Sequence, residues 1–455
     1  MRLAGAEIAG ATGARALAEG SAAPPRRAVI DSSAVGPGDL FFGLRGERRD
    51  GGEFAAAAIE AGAWGVVVGP AFWAAEVPGS KPGAPNGSAW VFAVEDPLAA
   101  LQSLARANRR ALGAQVLGVT GSVGKTSVKD IARTLLPGRV HANAQNFNTE
   151  IGLPLTILEA PDDTETLVLE MAMRGYGQIA ELAMIAEPDA AIITNVGPVH
   201  VEQMGSIAAI AAEKAAVIDH LPDDGTVVAP AEAGELEPHL ARAPRLLRFG
   251  PGGDVEAVET SVSGGVTEAL IRTPAGEAHF AFPFAESYNL TNALAAIAAG
   301  VALGIAPRDM ADGAASIGFS RFRGERLELR DGIVLVNDCY NANPVSMRAA
   351  LDHLATLGAP RTLAVLGEMG ELGADTPAYH REGGEFARAS GVDLVVGVGE
   401  PARDYDPDEL VADPAEAAEW LAAQLEAGDA VLIKGSRSAG LETVAAALPE
   451  MLGDA

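Results

Sequence analysis

The sequence predicts an α/β protein of three domains, on three observations. Short apolar, β-prone runs alternate with helically spaced segments from end to end. One such run, Gln115 to Thr120, passes directly into a glycine turn and then GKTS. A length of 455 residues, 48% of them hydrophobic, suits about three cores. The expected division is a smaller N-terminal α/β domain (1–98), a central P-loop domain with a mainly parallel sheet (99–320), and a C-terminal doubly wound α/β domain (321–455).

In the first unit, Asp31-Ser32-Ser33 precedes a turn and an expected strand, Leu40 to Leu44. A helix over Phe54 to Ala63 and a strand over Trp64 to Val68 follow. Pro70 to Ser88 is rich in Pro, Gly and Ala and reads as loop. A helix over Leu101 to Leu112 leads into the P-loop.

Val116, Leu117 and Val119 read as a buried strand, Gly121 to Gly124 as a turn, and Lys125 onward as a helix. Amides at the helix start and the helix dipole favour an anion there. Lys125 adds a point charge for the outer phosphates, and the Thr126 hydroxyl can hold Mg²⁺. The strict motif asks for glycine where Val119 stands, so the spacing is a variant; an ordinary glycine turn between strand and helix is the plainer alternative.

Asn143 to Leu155 is polar and glycine-broken and reads as loop. Strands are expected over Leu167 to Met171, Ala190 to Thr194, Thr226 to Ala229 and Arg245 to Phe249. Helices are expected over Ile179 to Ile185 and Ile207 to Ile218. Ligands of such a sheet collect at the carboxyl ends of its strands, where Glu170 and His200 both fall. Glu170 could hold Mg²⁺ or simply cap a helix; His200 alone suits packing or solvent as well as a ligand. Lys214 lies among Ile207, Ile210, Ala211, Val217 and Ile218, where it is either buried and paired or snorkels to the surface.

Val262 to Phe284 alternates like an antiparallel excursion, and Tyr288 to Gly304 is an Ala-rich helix. The last domain carries four apolar strands, over Ile333 to Val336, Thr362 to Leu366, Asp393 to Val398 and Ala430 to Ile433. At its entrance, Arg323 and Arg326 could reach a transferring phosphate or be linker charge. Asn337 to Pro344 (NDCYNANP) concentrates Asp338 and three asparagines, as a site or as an Asx-capped turn. Lys434 to Arg437 (KGSR) suits a carboxylate or phosphate, or begins a helix.

Composition excludes some classes. A formal charge of −28, from 61 acids against 33 bases, disfavours nucleic acid and anionic membranes as partners. The longest apolar run, Ala293 to Ala306, is too short to span a bilayer. The N-terminus carries Glu7 and lacks a long apolar stretch, so no secretion signal is expected. The single cysteine, Cys339, allows no intrachain disulfide and fits a reducing cytoplasm; a monomer is expected. Only five lysines occur, so Lys125, Lys214 and Lys434 stand out where ammonium rather than guanidinium is needed. No Asn-Lys pair exists, which argues against the guanine reader of a GTPase switch.

Taken together, DSSAVGPGDLFFGLRGERRDG, GVTGSVGKTS, QNFNTEIGLPLT, ITNVGPVH, YNLTNALAA, NDCYNANPVSM, LGEMGELG and LIKGSRS resemble the Mur ligase family, almost end to end. The resemblance implies an ATP- and Mg²⁺-dependent amide ligase of cell-wall precursor synthesis, joining D-alanyl-D-alanine to UDP-N-acetylmuramoyl-tripeptide. A sibling Mur ligase or a folylpolyglutamate synthase-type ligase is the alternative. It assigns Gly121, Ser122, Val123, Gly124, Lys125, Thr126 and Ser127 to ATP phosphates, and Asn289 and Asn292 to the adenine side. It assigns Thr126, Glu170 and His200 to Mg²⁺, and places Lys214 where such ligases carry a carbamoylated lysine. Arg323, with Arg326 as the alternative register, and Asp338 would reach ATP from the C-terminal domain. Ser32 matches the uridine-nucleotide side; Lys434, Ser436 and Arg437 match a segment near the incoming dipeptide. Three positions depart from the pattern. Ser33 stands for Arg, Tyr288 for His, and Phe322 for the Gly before the junction arginine.

Overall fold

A computed structural model describes residues 1–72, 89–144 and 146–452. Most of the expected loop from Pro70 to Ser88 therefore lies outside the described residues, as does Gln145; Pro70–Phe72 is a 3₁₀ turn.

Four sheets organise the chain. The N-terminal sheet orders its strands Arg15–Ala18, Trp90–Ala93, Gly65–Val68, Leu40–Phe42 and Ala28–Val29. Only the first of these runs antiparallel to its neighbour. The central sheet is entirely parallel: Arg245–Phe249, Thr226–Pro230, Ala190–Ile193, Gln115–Thr120, Thr166–Glu170 and Val140–Ala142. Its strand order reverses beside Gln115–Thr120, the place where ligands of open α/β sheets bind.

Alternation along the central strands builds two cores. Val116, Leu167, Leu169 and Ala191 face one side; Leu117, Val119, Val168 and Ile192 face the other. The first core continues through Leu101 and Leu104 into Leu40, Phe42 and Phe92 of the N-terminal sheet. Leu101 and Leu104 lie on the helix Pro97–Leu112, which starts where Asp96 caps the amides of Leu98 and Ala99 and ends at Gly113, φ 68°. Each fully buried Leu, Ile or Phe in such a core contributes about 1.5–3 kcal/mol. The second core is roofed by the antiparallel strands Glu256–Ser263, Val266–Thr273 and Gly276–Phe282 and by the helix Ser287–Ala302.

The C-terminal sheet orders Glu325–Glu328, Val334–Asn337, Ala430–Lys434, Thr362–Leu366, Leu394–Val398 and Glu409–Val411. All but the first pairing are parallel, with cores on both faces. Among the described residues, no helix is long and apolar enough to cross a membrane.

Two expectations are corrected. The segment Asn143 to Leu155 is not all loop, because the helix Gly152–Glu159 begins inside it. Pro154 sits in its first turn, where a missing N–H costs nothing. The helix expected over Ile207 to Ile218 is α-helical only to Ala215 and tightens to 3₁₀ over Ala216–His220.

Candidate active site

The turn after Gln115–Thr120 needs its glycines. Gly121 has φ 143° and Gly124 φ 83°. A Cβ at Gly121 would lie 1.9 Å from Thr194 Oγ1, and one at Gly124 would lie 2.5 Å from Asn292 Oδ1. The turn is tied to the neighbouring strand end. The Val123 amide donates to Asn195 Oδ1 at 2.9 Å, and the Gly197 amide to Ser122 Oγ at 2.9 Å. The helix Lys125–Leu135 starts there, with its free amides facing the turn.

Two lysines converge behind the turn. Lys125 Nζ donates to the carbonyl oxygens of Gly121 (2.8 Å) and Ser122 (3.3 Å). Lys214 Nζ donates to the same Gly121 oxygen at 2.9 Å, and its residue is only 2% exposed. Burial, followed by the positive charge of Lys125, holds the Lys214 pKa well below the usual lysine range. Burial also lowers Lys125, against the opposing pull of Glu170.

Glu170 is 3% exposed at the end of Thr166–Glu170. Its Oε1 accepts from Asn148 Nδ2 at 2.8 Å, while Oε2 is buried without a hydrogen-bond partner. Asn143 clamps its backbone, accepting from the Glu170 amide at 2.6 Å. An orphaned, buried carboxylate oxygen suits a hard cation such as Mg²⁺. Among the described residues, no three His, Cys, Asp or Glu side chains cluster as a metal site. A cation here would therefore depend on phosphate and water for most of its ligands.

The C-terminal sheet closes over this turn. Arg323 Nη2 donates to Thr126 Oγ1 at 3.2 Å, with its guanidinium 4.0 Å above the Tyr340 ring. Arg326 turns away and pairs with Glu328, so Arg323 is the junction arginine at the site. Asp338 and Lys434 form an ion pair at 2.5 Å, and Lys434 is 1% exposed. Cys339, beside them, is buried; burial, then the nearby Glu442 and Asp338 charges, pushes its thiol up to about 12. His200 Nδ1 lies 2.6 Å from Glu371 Oε2, a close polar contact.

Two cavities result. One, of about 220 Å³, is lined by Ser122 to Ser127, Asn292, Tyr288, Arg323, Asp338 and Lys434. The other, of about 980 Å³, is lined by Thr126, His200, Arg323, Glu368, Ser436 and Arg437, among others. Thr126, Arg323 and Asn341 belong to both.

Most candidate residues thus meet, though not all on one surface. Lys214 supports the turn from behind through Gly121, and Gly121, Glu170 and Lys214 line neither cavity. Asn289 is buried under Asn292, whose Nδ2 donates to it at 3.2 Å. The KGSR run divides, with Lys434 in the smaller cavity and Ser436 and Arg437 in the larger. Ser32 lies on a 3₁₀ turn of the N-terminal unit and lines neither cavity. Sequence reasoning missed Asn143, Asn148, Asn195 and Glu371. The asparagines sit in the motifs NAQNFN and TNVGPVH, but their targets are set by tertiary structure alone.

Fold and site together define an α/β protein in which residues of the C-terminal sheet complete the cavity at a P-loop-like glycine turn. The chain belongs to the Mur ligase family. The Mur ligase middle domain matches residues 119–300, the Mur ligase glutamate ligase domain 322–437, and the Mur ligase family catalytic domain 28–109. The UDP-N-acetylmuramoyl-tripeptide–D-alanyl-D-alanine ligase of Bacillus subtilis is 36% identical, covering 91% of each chain. A crystal structure of MurF ligase from Thermotoga maritima in complex with ADP superposes with TM-score 0.83 at 31% identity, covering 94% of this chain and 98% of that one. MurF from Acinetobacter baumannii superposes with TM-score 0.86 at 27% identity, covering 97% and 98%.

Proposed function

We propose that the protein joins D-alanyl-D-alanine to UDP-N-acetylmuramoyl-tripeptide at the expense of ATP, in the synthesis of peptidoglycan precursors in the cytoplasm. The observation that carries this reading is the shared wall of the two cavities: Thr126, Arg323 and Asn341 border both. A phosphate donor in one and an acceptor in the other would meet there.

The tripeptide carboxylate attacks the γ-phosphorus, the bond to ADP breaks, and an acyl phosphate forms. The dipeptide amine then attacks the acyl carbon, loses a proton, and inorganic phosphate leaves. Both partners of the first step are anions, so the residues' task is charge neutralisation. Lys125 would exchange the Gly121 and Ser122 carbonyls for phosphate oxygens, and Arg323 would leave Thr126 for the moving phosphoryl group. Thr126, Glu170 and His200 would hold Mg²⁺, which when bound supplies further neutralisation at the phosphates. Lys214, as a carbamate, would turn a buried cation into an anion able to hold a second ion.

Residues 1–98 would take the uridine end, 99–320 the ATP, and 321–455 ATP together with the dipeptide. Asp338 and Lys434 would border ATP, with Asn289 holding Asn292 towards the adenine. Ser436 and Arg437 would face the dipeptide, and Ser32 the uridine nucleotide. The deciding experiment is mass spectrometry of the product from the three substrates. Single amino acids serving in place of the dipeptide would instead favour a sibling ligase.

A further inference from the structure

Backbone strain in this protein gathers at the larger cavity. Six non-glycine residues among those described have positive φ, and three of them, His200 (52°), Phe322 (65°) and Glu371 (63°), line that cavity. A bulky residue in this region is held there only when its surroundings demand it. Phe322 is held at both ends. The Tyr340 amide donates to its carbonyl oxygen at 3.2 Å, and its half-buried ring rests on the C-terminal core.

Phe322 also organises charge. The guanidinium carbons of Arg321 and Arg437 lie over its ring, 4.9 and 5.3 Å from the centroid. These arginines come from segments more than a hundred residues apart, and both line the larger cavity. An aromatic ring attracts each cation, so both guanidiniums are held beside the same side chain. Arg437 is further oriented by Glu442 at 3.3 Å, while Arg321 has no ion-pair partner among the described residues. Planar, multi-donor cations fixed in this way suit a carboxylate.

We propose that Phe322 is a positioning residue for acceptor selection: it gathers Arg321 and Arg437 into a receptor for the free carboxylate of the incoming dipeptide. This rests on the proposed ligase reaction. Phe322 touches neither reacting atom; it acts through the two arginines.

The test is steady-state kinetics with D-alanyl-D-alanine and with its C-terminal amide, at saturating ATP and UDP-tripeptide. Wild type is expected to favour the free acid. Phe322→Leu keeps apolar bulk but lacks the ring, and Phe322→Gly also relieves the strained backbone. Both should raise KM for the acid by about tenfold. The rise should fall on KM rather than kcat, leave KM for ATP alone, and erase the preference over the amide. Phe322→Tyr should restore wild-type values, and Arg321→Ala should reproduce the loss. If Phe322→Leu keeps the wild-type KM and preference, Phe322 is packing only and the inference is wrong. Wild type yielding no product from either acceptor would instead overturn the ligase reading itself.

Discussion

Lys125 and Lys214 bring their terminal nitrogens to one acceptor, the Gly121 carbonyl oxygen, at 2.8 and 2.9 Å. Two charged ammonium groups so close in a buried site repel strongly, and the more enclosed Lys214 yields. Its amine therefore gives up its proton more readily than a free lysine's, and the deprotonated amine is nucleophilic toward CO₂. Carbon-13 bicarbonate should give a carbamate signal in the wild-type protein that Lys214→Met lacks. Identical spectra would remove Lys214 from the proposed anion.

Lys125→Ala should lower ligation by about 100- to 1,000-fold, the usual loss when a donor to developing charge is removed. The fold should survive, since among the described residues the hydrogen bonds of Lys125 go only to the turn itself. ADP release at a near-normal rate would end the assignment.

Gly121→Ala tests the turn's shape. The added methyl would meet Thr194 Oγ1 at 1.9 Å in a backbone conformation that disfavours side chains. Calorimetry should show nucleotide affinity at least about tenfold weaker. Unchanged affinity would mean that the turn does not cradle phosphates.

Glu371 and His200 meet across the two sheets at 2.6 Å, each with left-handed backbone. Glu371→Gly would relax its backbone while removing the contact with His200. Thermal stability should hold, but ADP released per peptide bond formed should rise by about two- to fivefold. Looser closure would let water reach the acyl phosphate. A ratio equal to wild type would show that the pair does not guard closure.

Glu187 offers a test at a distance from catalysis. Arg110, followed by Arg106, holds its carboxyl down to about 2. A lowered folded pKa stabilises above the unfolded value and loses that contribution as pH falls through the folded one. Glu187→Gln should therefore cost about 1 kcal/mol at neutral pH, after allowing for solvent screening. In urea titrations the gap from wild type should close as pH falls from about 5 towards 2. A pH-independent gap would contradict the ion-pair origin.

The glycine turn between Gln115–Thr120 and the helix Lys125–Leu135 was legible because its demands are local: glycine conformations and a helix start at fixed spacing. The parallel strands of the centre and C-terminus were legible because continuous apolar runs mark strands covered on both faces. Short or edge strands escaped notice. Arg15–Ala18 is largely exposed, and Glu325–Glu328 carries three charged residues in four, like a surface segment. The helix Gly152–Glu159 was hidden by Gly152 and Pro154. Lys214 could be flagged by scarcity, but its burial depends on a carbonyl 93 residues away. Phe322 was visible as a departure from a family pattern; its φ and its two arginines required three dimensions.

Cys339 lies in the core with its thiol proton tightly retained, and it is the chain's single sulfhydryl. Maleimide dyes should ignore it. A fluorophore pair could then be attached at two introduced surface cysteines, one beside each sheet, without first stripping the native residue. Any change in the distance between the central and C-terminal sheets during turnover could then be followed in otherwise unaltered enzyme.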